Sequence, residues 1–441
     1  MDEFLPFFTN DGSVGLYSYS DNDIYHSVYG AVSEAYDKFI LPANFDEYFL
    51  NKNKIRILDL CYGIGYNTKS FLNYFFKKTS SLTECNCSIG TNNIQLNKYN
   101  YQIYTNNVLN KTFINNIHAN RFFNKFCLKN SMDNIRNYKI KIDAVDTNEN
   151  LMKLSPFFIT DKLVNKKHCT GINKIDRYQS EKTNLNKNYN ITPEVNMLLL
   201  HNLLINYGKD YLSDDLLDIL YSKKYDKFFS DYIRRFMAFY FLDKCIPISL
   251  PNKSPFLHNI YYKYLSKSYK NTLKVLENND ISIRYINFDA RKFLTSDNST
   301  YDFIFLDAFT PSKCPNLWTY EFFKLLYNHL SDNGKILTYS NSASIRNAMI
   351  KNKFFITKIY NKNENKFTGT LAVKNPNLIN SNLDDYDIGL LHTKAGIMYR
   401  DYNLDATNQE IINNHNIEFN NSNLISSTQF KNQYKENIYG I

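Results

Sequence analysis

Four aspartates stand where an α/β protein places the polar groups that contact a ligand. Each ends or directly follows a run of residues with the apolar pattern of a strand: Asp59, Asp146, Asp289 and Asp307. Ligands of open α/β sheets bind in the crevice outside the carboxyl ends of the strands. We therefore expect the four carboxylates along one edge of one sheet, where they can accept hydrogen bonds from hydroxyl and amine groups. Asp289 has a second interpretation, as the N-cap of a helix expected at residues 290–294.

A glycine-containing turn follows the first of these strands. Residues 54–60 have the pattern of a buried strand, Gly63 and Gly65 come in the next turn, and a helix is predicted to begin near Asn67. Glycine is needed where the backbone turns sharply and lies against a ligand, because a Cβ atom would clash. A dinucleotide-binding turn has a third glycine, where this chain has Thr68. The pattern therefore argues against NAD and FAD and favours S-adenosylmethionine, which has no pyrophosphate to place at the helix N-terminus.

The strand ends suggest how such a cofactor would be held. A carboxylate at the end of the second strand can accept both ribose hydroxyls, and a carboxylate with a backbone group after the third can hold the edge of the adenine. The predicted cofactor-binding residues are Asp59, Gly63, Gly65, Asn67, Asp146, Asp289 and Ala290.

The elements that must position these residues follow from apolar periodicity. Strands are predicted at residues 54–60, 139–146, 281–288, 301–307 and 335–340, with an antiparallel pair at 354–360 and 370–374. Helices are predicted at 31–41, 67–76, 319–329, 344–351 and 407–414, and turns at 11–13 and 332–334. This order predicts an α/β fold with a mainly parallel sheet and an antiparallel closing hairpin. Together with the glycine turn, it is similar to the Rossmann-like fold of S-adenosylmethionine-dependent methyltransferases.

The domain organisation predicted from composition has three parts. Residues 1–50, read as turn and loop sequence followed by a helix, form an N-terminal segment on the substrate side, residues 51–375 a methyltransferase domain, and residues 376–441 a C-terminal extension. Within the domain, an Asn-rich stretch at 79–137 and a largely helical stretch at 161–276 are predicted insertions.

Composition narrows the class of protein. The net charge of +9 over 441 residues fits either a polyanionic partner or a solvated basic surface. The seven cysteines contain no CxxC pair, so neither a zinc site nor a disulfide framework is indicated. The longest apolar run, residues 236–242, is too short to span a bilayer, and the acidic N-terminus lacks the apolar core of a signal peptide. We expect a cytoplasmic protein without metal or membrane association.

The block Asp307-Ala-Phe-Thr-Pro-Ser-Lys-Cys-Pro-Asn-Leu-Trp-Thr319 resembles the signature of the methyltransferase half of MnmC, the tRNA 5-methylaminomethyl-2-thiouridine biosynthesis family. Residues 9–13, 25–31 and 399–401 are similar to stand-alone members. The resemblance covers about residues 4–76, 139–160 and 256–435. The chain has no second glycine-rich strand–turn–helix, so the resemblance implies the stand-alone form without the FAD-dependent oxidase half.

This resemblance implies an activity and a partner. The activity is S-adenosylmethionine-dependent methylation of the aminomethyl group of 5-aminomethyl-(2-thio)uridine at the wobble position of tRNA. Asp307 is the expected catalytic residue, and its low ordinary pKa favours orienting the amine over full proton abstraction. The wobble nucleotide must swing out of the anticodon loop to reach it. The predicted substrate-binding residues are Asp11, His26, Phe309, Pro311, Lys313 and Trp318.

The sequence also allows other interpretations. A polyamine aminopropyltransferase shares the fold and the acidic strand ends, and a catalytically inactive methyltransferase fold could serve as an RNA-binding scaffold. Among single residues, Asp307 could cap a turn before Pro311, and Trp318 could pack beneath the loop. His26 could be a structural hydrogen-bonding residue, and Lys313 a solvated surface lysine.

Overall fold

The computed structural model describes residues 4–19, 22–25, 30–87, 137–158, 191–207, 211, 272, 275–277, 279–362 and 364–439. The strands are β1 Phe4–Phe8, β2 Val14–Ser18, β3 Asp23–Tyr25, β4 Lys54–Leu60, β5 Lys139–Asp146, β6 Asp280–Asn287, β7 Tyr301–Leu306, β8 Leu330–Thr338, β9 Phe355–Asn361 and β10 Lys366–Val373. The helices are α1 Ala31–Ala35, which continues as a π-helical turn at Tyr36–Ile40, α2 Leu41–Ala43, α3 Phe45–Asn51, α4 Tyr66–Cys87, α5 Glu149–Leu154, α6 Pro193–Tyr207, α7 Ala290–Ser296, α8 Tyr320–His329, α9 Ala343–Lys351, α10 Asp385–Leu391, α11 Asn408–Asn421 and α12 Ser427–Tyr439.

A seven-stranded sheet organises the chain, in the order β6-β5-β4-β7-β8-β10-β9. The first five strands in this order run parallel, and β10 is antiparallel to both β8 and β9. The predicted Rossmann-like fold with a closing antiparallel hairpin is therefore confirmed. The order reverses between β4 and β7, which is the switch point where open α/β sheets bind ligands.

The sheet is covered on both faces because successive side chains of its central strands point to opposite sides. Ile57 and Phe305 join the core that includes α1, α3 and α4. Leu58 and Leu306 join the core that includes α7, α8 and α9. The outermost strand β6 instead alternates buried and exposed residues, as an edge strand covered on one face does.

The N-terminal segment differs from the prediction of turn and loop sequence before the helix. Its residues form a separate three-stranded antiparallel sheet, β1-β2-β3. Four of the five residues of β1 and all five of β2 are buried, so neither strand shows the polar alternation by which a half-exposed strand is recognised. Gly15 leaves room for the Phe7 ring, since an added Cβ would lie 2.4 Å from it.

The turn predicted at residues 332–334 lies inside β8. Tyr301 of β7 pairs with Leu330, and Phe303 pairs with Lys335, so three residues of β7 face six of β8. The Asp-Asn-Gly sequence therefore forms an irregularity within a strand, as turn-forming residues do at a bulge. The helix predicted at 67–76 extends to Cys87, and the helix predicted at 407–414 extends to Asn421.

Two predicted segments fall largely outside the described residues: residues 88–136 of the Asn-rich stretch and most of residues 161–276. The predicted domain boundaries stay predictions. No helix in the described part of the chain is long and apolar enough to cross a membrane. Within the same residues, His, Cys, Asp and Glu form no group of three that could hold a metal ion.

Candidate active site

The turn after β4 depends on its two glycines in different ways. Gly65 has a φ of +75°, and an added Cβ would lie 2.3 Å from the ring of Tyr62, so only glycine fits there. Gly63 has a φ of +53°, but an added Cβ would meet nothing closer than Tyr25 at 3.8 Å. The backbone at Gly63 is therefore open on the side where a ligand would lie.

Asp59 anchors this turn to the start of α4. Its Oδ2 accepts hydrogen bonds from the Thr68 hydroxyl at 2.6 Å and the Thr68 N–H at 3.2 Å. Burial of the carboxyl raises its pKa to about 7, although the Thr68 hydrogen bonds act in the opposite direction. Thr68, the departure from the dinucleotide pattern, is thus the residue that ties the helix to the strand.

Asp146 joins the glycine turn to the end of β5. Its Oδ2 accepts the Gly63 N–H at 2.7 Å and its Oδ1 accepts the Asn148 N–H at 2.8 Å. Burial raises the pKa of this carboxyl, and the backbone hydrogen bonds favour its ionised form. The side chain is half-buried beside the open face of Gly63, which is where the sequence predicts the ribose hydroxyls.

Asp289 is the N-cap of α7, the second interpretation that the sequence allowed. Its Oδ1 accepts the Arg291 N–H at 2.8 Å, and its Oδ2 pairs with the Arg291 guanidinium at 2.7 Å. Burial alone would raise the pKa of Asp289, but Arg291 outweighs it and holds the pKa below its usual value. A quarter of the side chain is exposed, and the adjacent Ala290 is buried. Their predicted contact with adenine stays a prediction.

Asp307 lies at the end of β7, one strand from the glycine turn. Its Oδ2 accepts a hydrogen bond from the Asn67 side-chain amide at 3.1 Å. The pKa of Asp307 is raised to about 6: burial is the largest cause and Glu34 acts in the same direction, while Lys38 and Asn67 act against them. The carboxyl is therefore a stronger base than its ordinary pKa suggested from the sequence.

Glu34 and Lys38 are functional candidates that the sequence did not single out. They form an ion pair four residues apart, and both affect the charge of Asp307. The Lys38 Nζ lies 5.5 Å from the centre of the Tyr339 ring, and the Tyr339 hydroxyl donates to the Ala308 carbonyl at 2.8 Å. Their four-residue spacing predicts a helical ion pair, but only the packing of this helix shows that the pair faces Asp307.

Asp11 holds together the turn between β1 and β2, and its predicted contact with substrate stays a prediction. The carboxylate is buried and accepts five hydrogen bonds from three residues: Thr9, Ser13 and Ser33. These bonds close the β1–β2 turn and attach it to α1. His26 lies outside the described residues.

Trp318 is fully buried, so the packing interpretation describes it and the predicted contact with substrate does not. Its indole N–H donates to the Phe309 carbonyl at 2.8 Å and supports the loop from below. Phe309 is half-buried and meets the Tyr25 ring edge-on, with centroids 5.0 Å apart.

Lys313 pairs with Asp23 at 2.6 Å, which attaches β3 to the same loop. Pro311 is half-buried in that loop. The predicted substrate contacts of Phe309, Pro311 and Lys313 stay predictions.

Comparison with known proteins is consistent with this geometry. Residues 251–375 match the model of an S-adenosyl-L-methionine-dependent methyltransferase family. An uncharacterized protein of Methanocaldococcus jannaschii is 34% identical over 125 residues, which are 28% of this chain and 35% of that protein, so the match spans about a third of the relative. The crystal structure of MnmC2 from Aquifex aeolicus is similar with a TM-score of 0.50 and 17% identity, over 96% of this chain and 87% of that one. The family match supports the predicted class of methyltransferase and confirms the predicted cofactor, S-adenosylmethionine.

The described residues fit this cofactor. Asp59 Oδ1 and Asn67 Oδ1 are buried acceptors with no hydrogen-bond partner among the residues that the structure describes. Acceptors in that position suit a ligand with N–H donors, and the amino group of S-adenosylmethionine is one. The ends of β6, β5, β4 and β7 are level in register, so β6 and β7, the strands that precede Asp289 and Asp307, are three strand spacings apart, about 14 Å. That is the length scale of a nucleoside carrying a sulfonium group.

Proposed function

We propose that the chain transfers a methyl group from S-adenosylmethionine to the primary amine of 5-aminomethyl-(2-thio)uridine at the wobble position of tRNA. The observation that carries this proposal is Asp307, a carboxyl of raised pKa beside the glycine turn. It opens the Asp307–Thr319 block whose sequence resembles the MnmC methyltransferase signature. The proposal of a tRNA substrate is supported by that resemblance, and the proposal of methyl transfer to an amine is supported by the residues of the site.

The cofactor would be held across the ends of three strands. The open backbone at Gly63 would receive its main body, Asp146 would accept hydrogen bonds from the ribose hydroxyls, and Asp289 with the Ala290 N–H would contact the adenine edge. When bound, it supplies an electrophilic methyl group on a sulfonium. This arrangement directs the opposite end of the ligand toward β7.

Asp307 prepares the amine for attack. An alkylammonium is protonated near neutral pH and has no lone pair to donate. The Asp307 carboxylate accepts a hydrogen bond from the amine, turns its lone pair toward the methyl group, and can take its proton because the pKa of Asp307 is raised to about 6. Asn67 holds the other side of the carboxylate. Positioning supplies most of the rate in such a displacement.

The loop after Asp307 offers a place for the base. Phe309 and Tyr25 present an aromatic pair between the N-terminal sheet and the glycine turn. An extruded base can stack on such a surface, as bases do on aromatic side chains in RNA-binding proteins. The Lys313–Asp23 pair keeps the N-terminal sheet in contact with this loop.

The test is methyl transfer from labelled S-adenosylmethionine to bulk tRNA from cells lacking the activity, followed by nucleoside analysis. We expect label in 5-methylaminomethyl-uridine or its 2-thio form, with a loss of at least 100-fold in Asp307→Asn. Asp302→Asn is the matched control because it changes a carboxylate at the opposite end of the same strand. It should keep the activity.

Two other results would replace the proposal. Cofactor binding with label in small amines but none in tRNA would indicate a polyamine or another small-amine substrate. Absence of cofactor binding would indicate a scaffold.

A further inference from the structure

We infer that residues 399–407 belong to the cofactor site, where Asp401 acts through Arg291 to fix the Asp289 carboxylate as the acceptor for the adenine amino group. This inference rests on the proposed function for the position of the adenine. It makes Arg291 and Asp401 positioning residues that determine which nucleobase the site accepts. Both lie outside the set of cofactor-binding residues predicted from the sequence.

Arg291 holds both oxygens of the Asp289 carboxylate. Its Nε lies 3.2 Å from Oδ1 and 3.3 Å from Oδ2, and its Nη2 lies 2.7 Å from Oδ2. The Arg291 backbone N–H adds a fourth contact, to Oδ1 at 2.8 Å. A carboxylate held in this way stays ionised and is an acceptor only.

Arg291 is in turn held by the C-terminal segment. Its Nη1 donates to Asp401 Oδ2 at 2.7 Å and to the Ala406 carbonyl at 2.9 Å. The side chains are 8% and 1% exposed for Arg291 and Asp401 respectively. The second Asp401 oxygen accepts the N–H groups of Asp405 and Ala406, both at 3.1 Å. The guanidinium therefore stands between two carboxylates and has little freedom to turn.

The same segment is attached to the catalytic side of the sheet. The Tyr399 carbonyl accepts the Tyr320 N–H at 3.0 Å, at the start of α8. Glu321 accepts the Asp401 N–H at 2.8 Å and the Arg400 Nε at 2.8 Å. Because α8 directly follows the Asp307–Thr319 block, these hydrogen bonds to α8 fix the position of Asp401 relative to that block.

This geometry has a consequence for specificity. Adenine presents an amino donor at C6, whereas hypoxanthine presents a carbonyl acceptor there. An ionised and immobile Asp289 favours the donor and repels the acceptor, because a buried acceptor facing an acceptor loses its hydrogen bond. An Asp289 that can rotate away would discriminate less.

The experiment measures binding to the full chain by calorimetry, with two probes: S-adenosylhomocysteine and its 6-oxo analogue, S-inosylhomocysteine. The wild type should prefer the adenine compound. Asp401→Asn should weaken its binding about tenfold and leave the 6-oxo compound nearly unchanged, so that the preference shrinks. Arg291→Lys should have the same effect, since a lysine cannot hold both Asp289 oxygens and Asp401 together.

Asp387→Asn is the matched control. Asp387 pairs with the buried Arg346 at 3.0 Å and likewise attaches the C-terminal segment to the core. It should change stability without changing the preference between the two probes. Wild-type selectivity in both Asp401→Asn and Arg291→Lys would overturn the inference alone. If the wild type binds neither probe, the proposed function fails and the inference fails with it.

Discussion

At the scale of single residues, Asp307 shows how neighbours set the chemistry of one carboxyl. Desolvation raises its pKa to about 6, Glu34 acts in the same direction, and Lys38 acts against both. These two neighbours, which form an ion pair with each other, carry opposite charges, so their effects on the pKa of Asp307 oppose one another. Residues of the first helix and of the π-helical turn that continues it therefore affect the protonation of Asp307.

The pH dependence of kcat/KM tests this arrangement. We expect an acidic limb with a midpoint near 6, since Asp307 must be ionised to accept the amine proton. Glu34→Gln removes a negative charge and should move this limb to lower pH. Lys38→Met removes a positive charge and should move it to higher pH. Shifts in the same direction, or none, would contradict the role of this pair.

At the scale of elements, the N-terminal sheet depends on one buried carboxylate. Asp11 joins the β1–β2 turn to α1 through five hydrogen bonds. The sheet carries Tyr25, which contacts Phe309, and Asp23, which pairs with Lys313. Phe309 and Lys313 both lie in the Asp307–Thr319 block. The β1–β2 turn therefore helps to position the candidate site indirectly, because it stabilises the sheet that contacts the loop after Asp307.

Removal of the Asp11 carboxylate should destabilise the protein strongly. Asp11→Ala leaves buried N–H and hydroxyl donors without an acceptor, and we expect a loss of about 3 kcal/mol in the free energy of unfolding. Asp23→Asn, in the same sheet, disrupts a partly exposed ion pair and should lose less than about 1 kcal/mol. Denaturant unfolding measures both. Equal losses would show that the Asp11 bonds are not what holds the turn.

At the scale of the whole molecule, the edge of the sheet that carries the candidate site contains buried carboxyl groups whose ionisation destabilises the fold. Asp59, Asp146 and Asp307 all have raised pKa values, and burial is the largest cause in each case. A carboxyl whose pKa is higher in the folded state stabilises the fold only at low pH. That contribution is lost as the pH rises through the folded-state value, near 6 for Asp307.

Asp307→Asn should therefore stabilise the protein while abolishing its activity. At pH 8 we expect a gain of about 2 kcal/mol in the free energy of unfolding, less than the full equivalent of the pKa shift because the side chain is partly exposed. The gain should fall toward zero by pH 4. Denaturant unfolding at the two pH values measures it, with Asp302→Asn as the control. A gain independent of pH would show that ionisation is not its cause.

Local patterns by themselves determined the sheet and the candidate ligand-binding residues along its edge. Strands β4, β5 and β7 are close to their predicted bounds because each is a compact run of mostly buried residues with an Asp as its last or second-last residue or directly after it. The glycine turn could be located because Gly65 has no tolerated substitute there. These features depend on neighbours close in the chain, and a sequence records them directly.

Contacts between side chains that are distant in the sequence could be assigned only from the packing of the folded elements. Asp11 is the centre of a hydrogen-bonded turn, and Trp318 is a buried core residue. Glu34 and Lys38 affect Asp307 because a helix far from β7 in the sequence packs against the end of that strand. The link from Asp289 through Arg291 to Asp401 spans more than a hundred residues. Such contacts depend on how whole elements pack. They leave no periodic pattern in the sequence, so sequence patterns do not predict them.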